Sequence, residues 1–296
     1  MRSKLFGLSL LLVLAGGCGG EYILTVPDQL SAVGDDVTVV ARLQRNDFFV
    51  VNLAAVRAYL RYQIGEGVER SASTDKLGYS AVRLVMPEKP GRYDLAIRYQ
   101  DDDGDETAKT VGAYAWDPAK PVIAVDMDPL PRRRAKLTQG RKGWWTGLAK
   151  YTVDLIPRAT PGDAPSARAA LAKLAGKANI LYLTRREVVN HLQCRSELSA
   201  HGYPDGPVLT WRRQRWHLVP GRFKIPKVVV EARLVSQLGE LRKTFSNMWV
   251  GISESSLAGK AFVEAGMTAV VVGDARLDGD KVMRVGTWKE LAEKGL

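Results

Sequence analysis

The chain has 296 residues and a net charge of +11, from 43 Lys/Arg and 32 Asp/Glu residues. This length favours two domains over one. Beyond the N-terminus, no segment approaches about 18 uninterrupted apolar residues, which excludes a membrane-spanning helix in the body of the chain.

The N-terminus has the layout of an export signal. A positively charged start is followed by an apolar run from Leu5 to Leu14 and then by three small residues, Ala15-Gly16-Gly17. An apolar run of about 7–15 residues is too short to cross a bilayer as a stable helix. Residues 1–17 are therefore predicted to be a signal peptide.

The segment 14–18, Leu-Ala-Gly-Gly-Cys, resembles a bacterial lipobox with one additional glycine. The resemblance implies that Cys18 is lipidated, that residues 18–21 form the tether, and that the protein is lipid-anchored in the bacterial cell envelope, at the outer membrane or the periplasmic face. The alternative is an ordinary signal peptide with an incidental cysteine. Once Cys18 is modified, Cys194 is left alone, so no intramolecular disulfide can form.

Residues 22–116 are predicted to form an all-β module. Apolar and polar residues alternate in several short runs, and Gly-, Pro- and Asp-rich turns separate them, which is typical of a β-sandwich. The segment Lys89-Pro90-Gly91-Arg92-Tyr93 resembles the late strands of immunoglobulin-like domains. The predicted strands are Val37–Leu43, Val56–Ile64, Tyr79–Met86, Tyr93–Tyr99 and Thr107–Ala115.

The run Asp101–Glu106 contains five carboxylates around Gly104. Clustered carboxylates suit calcium, but the run lacks the longer spacing of a helix-flanked calcium loop. A solvated hairpin turn, with glycine supplying a positive φ, is the favoured interpretation.

After the proline-rich boundary at 116–121, strand and helix patterns alternate. This alternation predicts a parallel sheet covered by helices, with ligands bound at the carboxyl ends of the strands. The predicted strands are Val122–Val125, Ile180–Leu183, Met248–Ile252 and Ala269–Val272, and the predicted helices are Ser166–Ala175, Arg186–Ala200, Val228–Thr244, Ser256–Ala265 and Trp288–Lys294.

The basic excess lies entirely in this second part. Residues 22–116 carry 11 Lys/Arg and 14 Asp/Glu, a balance of −3, whereas residues 117–296 carry 30 and 17, a balance of +13. Such asymmetry indicates an anionic partner. In an exported, lipid-anchored protein this points to an anionic phospholipid or a phosphorylated small molecule, and not to nucleic acid.

Polar side chains follow the ends of the predicted strands. Asp126 and Asp128 come directly after the first strand, two residues apart, so both carboxylates can point into one cleft. One could attack or hold a metal while the other moves a proton. Thr184 and Arg185 end the second strand, Lys224 follows later, and Glu254 follows the third strand.

These motifs, in this order, resemble those of haloacid-dehalogenase (HAD) superfamily phosphatases. The segments 180–186, 202–209 and 223–224 resemble more narrowly the domain shared by lipins and the C-terminal part of membrane-associated phosphatidylinositol transfer proteins. Residues 117–296 are thus expected to form an α/β, HAD-like Rossmannoid parallel-sheet domain, preceded by an all-β immunoglobulin-like sandwich.

The resemblance implies a role for each strand-end residue. Asp126 would be the nucleophile and Asp128 the general acid/base. Thr184, Arg185 and Lys224 would bind the phosphoryl group. Mg²⁺ would be held at Asp126, Asp128 and Glu254, and the substrate would be a phosphatidate-like phosphate monoester.

Three positions depart from the active family. Pro129 and Leu130 stand where active lipins have Gly-Thr, and Ala258 replaces a second strand-three acid. Two functions therefore stay open: a Mg²⁺-dependent phosphatase anchored to the membrane, and a catalytically degenerate domain that binds anionic phospholipid or a phosphorylated ligand.

Overall fold

The computed structural model describes residues 21–47, 51–130, 164–186, 190–211 and 227–295. The predicted signal peptide, Cys18 and Lys224 lie outside these residues. Within them the chain is a mixed α/β protein, with fifteen strands in three sheets and five helices. No helix in this described part is long and apolar enough to span a membrane.

The first nine strands form two sheets. One sheet contains β1 (Glu21–Thr25), β3 (Asp36–Asp47), β4 (Val51–Ala54) and β7 (Tyr79–Val85). The other has the order β2-β9-β8-β5-β6, with strands β2 (Gln29–Ala32), β5 (Tyr59–Ile64), β6 (Arg70–Ser73), β8 (Gly91–Gln100) and β9 (Glu106–Trp116).

Alternation of apolar residues explains how these strands pack. In β5, Leu60, Tyr62 and Ile64 are buried while the residues between them are partly exposed, as expected when successive side chains point to opposite faces. The buried residues of both sheets belong to one hydrophobic cluster, which includes Leu43 and Leu95. The two sheets therefore share a core.

The predicted hairpin at Asp101–Glu106 is confirmed. Strands β8 and β9 pair antiparallel up to Gln100 opposite Glu106, and Gly104 has a φ of +90°. The Asp101 carboxylate accepts hydrogen bonds from the backbone N–H groups of Asp103 (3.1 Å) and Asp105 (2.9 Å). This carboxylate therefore stabilises the turn itself.

The remaining six strands form a sheet in which every neighbouring pair is parallel, in the order β12-β11-β10-β13-β14-β15. Its strands are β10 (Val122–Asp126), β11 (Asn179–Thr184), β12 (Val208–Thr210), β13 (Met248–Ser253), β14 (Thr268–Val272) and β15 (Val282–Val285). The helices are α1 (Ala164–Ala175), α2 (His191–Ala200), α3 (Lys227–Thr244), α4 (Ser256–Glu264) and α5 (Trp288–Lys294). The predicted parallel sheet is confirmed.

The predicted start of α2 at Arg186 is wrong, because this helix begins at His191. Arg186 lies outside the helix and bonds to residues of other elements. Its N–H donates to Thr184 Oγ (3.1 Å), its carbonyl accepts from Thr210 Oγ (2.6 Å), and its guanidinium donates to Glu197 (2.8 Å). These bonds hold Arg186 at the end of β11.

Candidate functional site

The site lies at the carboxyl end of β10, which runs between β11 and β13. All five residues of β10 are buried, as expected for a strand covered on both faces. The chain continues past the strand, and the N–H of Met127 donates to the Leu183 carbonyl at 2.9 Å. As a result Asp126 and Asp128 are both inside the protein, with only 3% and 1% of their surface exposed.

Asp128 is held by residues that follow β11. Its Oδ1 accepts a hydrogen bond from Thr184 Oγ at 2.6 Å. Its Oδ2 accepts from the backbone N–H of Arg185 at 2.8 Å and from the Arg185 Nε at 3.1 Å. Buried carboxylates require such partners, because losing water without compensation is costly. The structure thus brings together Asp128, Thr184 and Arg185, as the strand ends predicted.

Asp126 is held from the opposite side, by β13. Its Oδ2 accepts from Ser253 Oγ at 2.8 Å, and its Oδ1 accepts from the Asp128 N–H at 3.3 Å. Burial, followed by the negative charge of Asp128, raises the pKa of Asp126 to about 7, although Ser253 and Arg185 act in the opposite direction. Asp126 is therefore a carboxyl group that gains a proton near neutral pH.

Ser253 is a site residue that the sequence interpretation did not select. It is buried at the end of β13, and its Oγ also accepts from the Ser255 N–H at 2.8 Å. The available signal was its place directly after the predicted third strand, Met248–Ile252, and directly before Glu254. The sequence predicts the Glu254 carboxylate as a metal ligand at this strand end, whereas in the structure the Ser253 hydroxyl contacts Asp126.

Thr184 is close to the carboxylates, but its hydrogen-bonding groups are occupied. A hydroxyl group has one proton to donate, and Thr184 donates it to Asp128. The same oxygen accepts from the Arg186 N–H. In this structure Thr184 is therefore a support for Asp128 and has no proton left for a phosphoryl oxygen.

Glu254 is directed towards a different partner. Its Oε1 accepts from the indole N–H of Trp288 at 2.6 Å, and burial raises the pKa of its carboxyl group. Among the described residues, no group of three or more His, Cys, Asp or Glu side chains is close enough together to hold a metal ion. The structure thus brings Asp126 and Asp128 together without Glu254.

The departures from the active family fit the surrounding core. Leu130 is fully buried, and its N–H closes a turn onto the Met127 carbonyl at 3.2 Å. Ala258 lies on α4, 1% exposed and within the hydrophobic cluster that also contains Phe262. A carboxylate at position 258 would be surrounded by apolar side chains, so its absence suits the packing.

A second buried polar cluster, centred on Asp28, joins the β module to the parallel sheet. The Asp28 carboxylate accepts from the backbone N–H groups of Gly112 (2.8 Å) in β9 and Val208 (3.0 Å) in β12. It also accepts from Arg195 in α2 at 2.8 Å, and the His191 Nε2 lies 3.1 Å from its Oδ2. The His191 Nε2 accepts from the Asp28 backbone N–H at 3.1 Å. Burial alone would raise the pKa of Asp28, but its contacts with His191 and Arg195 and the hydrogen bond from the Val208 N–H lower it.

The Asp28 cluster is not predicted from the sequence, because its members come from separate parts of the chain. The segment 205–208 takes part in it. The Asp205 carboxylate accepts from the Tyr114 hydroxyl at 3.0 Å. At Gly206, an added Cβ would lie 2.0 Å from the Ile180 carbonyl oxygen, so only glycine allows β12 to approach β11 this closely.

No family model and no curated protein matches the chain. Solved structures give distant likenesses. A carbohydrate acetylesterase from Xanthomonas citri is 11% identical with a TM-score of 0.35, and the match covers 92% of this chain and 73% of that one. A conjugative transposon lipoprotein from Bacteroides eggerthii is 12% identical with a TM-score of 0.23 (33% and 98%). A β-glucuronidase from Parabacteroides merdae is 8% identical with a TM-score of 0.30 (85% and 40%). TM-scores this low assign neither a family nor an activity.

Proposed function

We propose that the C-terminal part of the chain is a HAD-like domain of the lipin type that binds a phosphorylated ligand or an anionic phospholipid at the end of β10. We include in this proposal the immunoglobulin-like character of the β module and the attachment of the protein to the cell envelope through a lipid on Cys18. The observation that carries it is the cluster of Asp126, Asp128, Thr184 and Arg185 at one strand edge.

Charge supports a ligand that is negative. Residues 117–296 have a balance of +13, and Arg185 provides a guanidinium at the edge of the cluster, with 29% of its side chain exposed. Arginine presents several N–H donors in a planar fork that matches phosphate geometry. Arg185 is therefore the residue of the cluster that is best suited to meet a phosphoryl group, and Lys224 is proposed as its companion.

The described side chains do not fit Mg²⁺ well. Magnesium prefers six oxygen ligands in near-octahedral geometry. Among the described residues no third His, Cys, Asp or Glu side chain joins Asp126 and Asp128, because Glu254 is bonded to Trp288. No step of the proposed function is therefore derived through a metal ion.

A second candidate is hydrolysis of a phosphate monoester, in which Asp126 would attack and Asp128 would transfer the proton. The observation that favours it is that both carboxyl groups are present and directly connected, with the Asp128 N–H donating to Asp126 Oδ1. Against it stands Glu254, the expected third ligand of Mg²⁺, whose carboxylate accepts from the Trp288 indole N–H instead. Binding is thus better supported than turnover.

One experiment separates the two. The chain without residues 1–18, which carries no lipid anchor, is purified without detergent and incubated with phosphatidate vesicles or with an aryl phosphate, in the presence and absence of Mg²⁺. We expect binding of phosphatidate vesicles that weakens with salt, and no release of phosphate above that of Asp126→Asn. Phosphate release that Asp126→Asn abolishes would establish the phosphatase instead, and vesicle binding that ignores anionic lipid content would contradict the binding of an anionic phospholipid.

A further inference from the structure

Arg185 is fixed in place more firmly than an ordinary surface arginine. Two of its nitrogens, the backbone N and Nε, donate to the same oxygen of Asp128, at 2.8 and 3.1 Å. Asp128 is in turn held by Thr184 at 2.6 Å. The guanidinium therefore has a defined orientation, and little side-chain entropy remains to be lost when it binds a ligand.

This arginine stands where a cation is required. Two buried carboxyl groups connected through the Asp128 N–H repel each other when both are ionised. Two guanidinium groups of the described residues act on Asp128: Arg185 forms an ion pair with it, whereas Arg186, whose charge also interacts with Asp128, is paired with Glu197. The predicted third acid of a metal site, Glu254, accepts from Trp288 instead.

The outer end of Arg185 is available. Its contacts with the described residues use the backbone N and Nε, and neither η nitrogen has a hydrogen-bond partner among those residues. The side chain is 29% exposed, whereas Asp128 beneath it is 1% exposed. The guanidinium fork thus has two η nitrogens without a partner among the described residues while its Nε is held by a buried anion, and such a fork can bind phosphate bidentately.

We infer that Arg185 is the resident cation of the strand-end site, and that its two η nitrogens bind the phosphoryl group of the ligand directly, without a divalent metal ion. The inference rests on the proposed function, because it concerns the same site. It adds that the ligand is held by a guanidinium–phosphate pair, and that chelators leave binding unchanged.

Titration calorimetry with inorganic phosphate tests the inference on the full chain in detergent, with EDTA or with Mg²⁺. We expect saturable phosphate binding of equal affinity in both, and no binding of Mg²⁺ alone. Arg185→Gln should weaken phosphate binding by about tenfold or more, since it removes a charge-assisted bidentate pair. Lys289→Gln, which removes the same charge from an exposed position of α5, is the matched control and should bind as the wild type does.

Each other outcome has a distinct meaning. Binding that appears only with Mg²⁺ would overturn the inference while supporting a phosphoryl site. Equal phosphate affinity in Arg185→Gln and wild type would also overturn it. Absence of phosphate binding under every condition, with phosphatidate vesicles still bound, would overturn the inference alone, and loss of both kinds of binding would remove the proposed function together with the inference. Circular dichroism of Arg185→Gln checks that the variant is folded. Arg185→Lys provides a second variant, which keeps the positive charge but lacks the pair of η nitrogens.

Discussion

The protonation of Asp126 should make stability depend on pH. In the folded protein, burial and the neighbouring Asp128 raise the pKa of Asp126 from 3.8 to about 7. Between these values the folded state keeps a proton that the unfolded state has released. The free energy of unfolding therefore falls as pH rises from about 4 to 7, and this contribution is constant at higher pH.

Asp126→Asn removes this dependence, because an amide resembles the protonated carboxyl and does not titrate. For each pH unit between the two pKa values, the free energy of unfolding of the wild type falls by about 1.4 kcal/mol. Between pH 5 and pH 8, the variant should therefore gain about 3 kcal/mol of unfolding free energy relative to the wild type, most of it below pH 7. The amide also places an N–H₂ group near Ser253 Oγ or the Asp128 N–H, which adds an offset that is independent of pH.

Urea unfolding at several pH values, followed by fluorescence, measures the difference between the two proteins. Asp278→Asn is the matched control, because the Asp278 side chain is 92% exposed and should show almost no trend. A difference between Asp126→Asn and wild type that stays flat from pH 5 to 8 would refute the reasoning. If the unfolding free energy of Asp126→Asn minus that of the wild type decreases as pH rises, the trend has the opposite sign and refutes the reasoning as well.

Three further predictions concern other parts of the chain. Gly206→Ala should lower the free energy of unfolding by about 2 kcal/mol or more through collision with the Ile180 carbonyl, whereas Gly239→Ala, on an open face of α3, should raise it by up to about 1 kcal/mol in the same urea assay. Asp28→Ala should cost about 3–5 kcal/mol, because it leaves buried donors unpaired; a loss below about 1 kcal/mol in thermal unfolding would contradict this role. Cys18→Ser should abolish labelling by a radioactive fatty acid and shift the protein to the aqueous phase in detergent partition; unchanged labelling would exclude the proposed anchor.

The parallel sheet was predictable because its central strands are continuous apolar runs. Val122–Val125 and Ile180–Leu183 could be recognised as buried strands, and the strand–helix alternation then required them to be parallel. Carboxyl ends of adjacent parallel strands meet at one edge, so the proximity of Asp126 and Asp128 to Thr184 followed from the order of the elements. The sequence therefore predicts those contacts of the site that depend on strand order alone.

Short strands and side-chain direction were not predictable in this way. Strand β12 has three residues, too few to show a period, and it pairs with β11 from Tyr182 opposite Val208. Glu254 follows its strand as expected, but whether it faces Asp126 or Trp288 depends on α5, which comes more than thirty residues later. The partner of a strand-end side chain is thus set by packing that is remote in sequence.

The Asp28 cluster shows the same limit over a longer distance. Asp28 and His191 are 163 residues apart, and neither residue belongs to a pattern with a recognisable period. A single aspartate in a β-rich segment is ordinarily a turn residue. Its role is apparent only when β9, α2 and β12 converge on it.

Because Asp28 bonds to both the β module and the parallel sheet, the module cannot swing freely as a domain on a linker would. Strand β1 begins at Glu21, three residues after the proposed lipidated cysteine, and three extended residues reach only about 10 Å. The β module would then lie within about 10 Å of the bilayer surface. The short tether would limit the distance between the module and the bilayer, and the bonds of Asp28 would keep the strand-end site at a fixed position relative to the module, so that lengthening the tether, and not loosening a hinge, would be the way to change the distance of the site from the membrane.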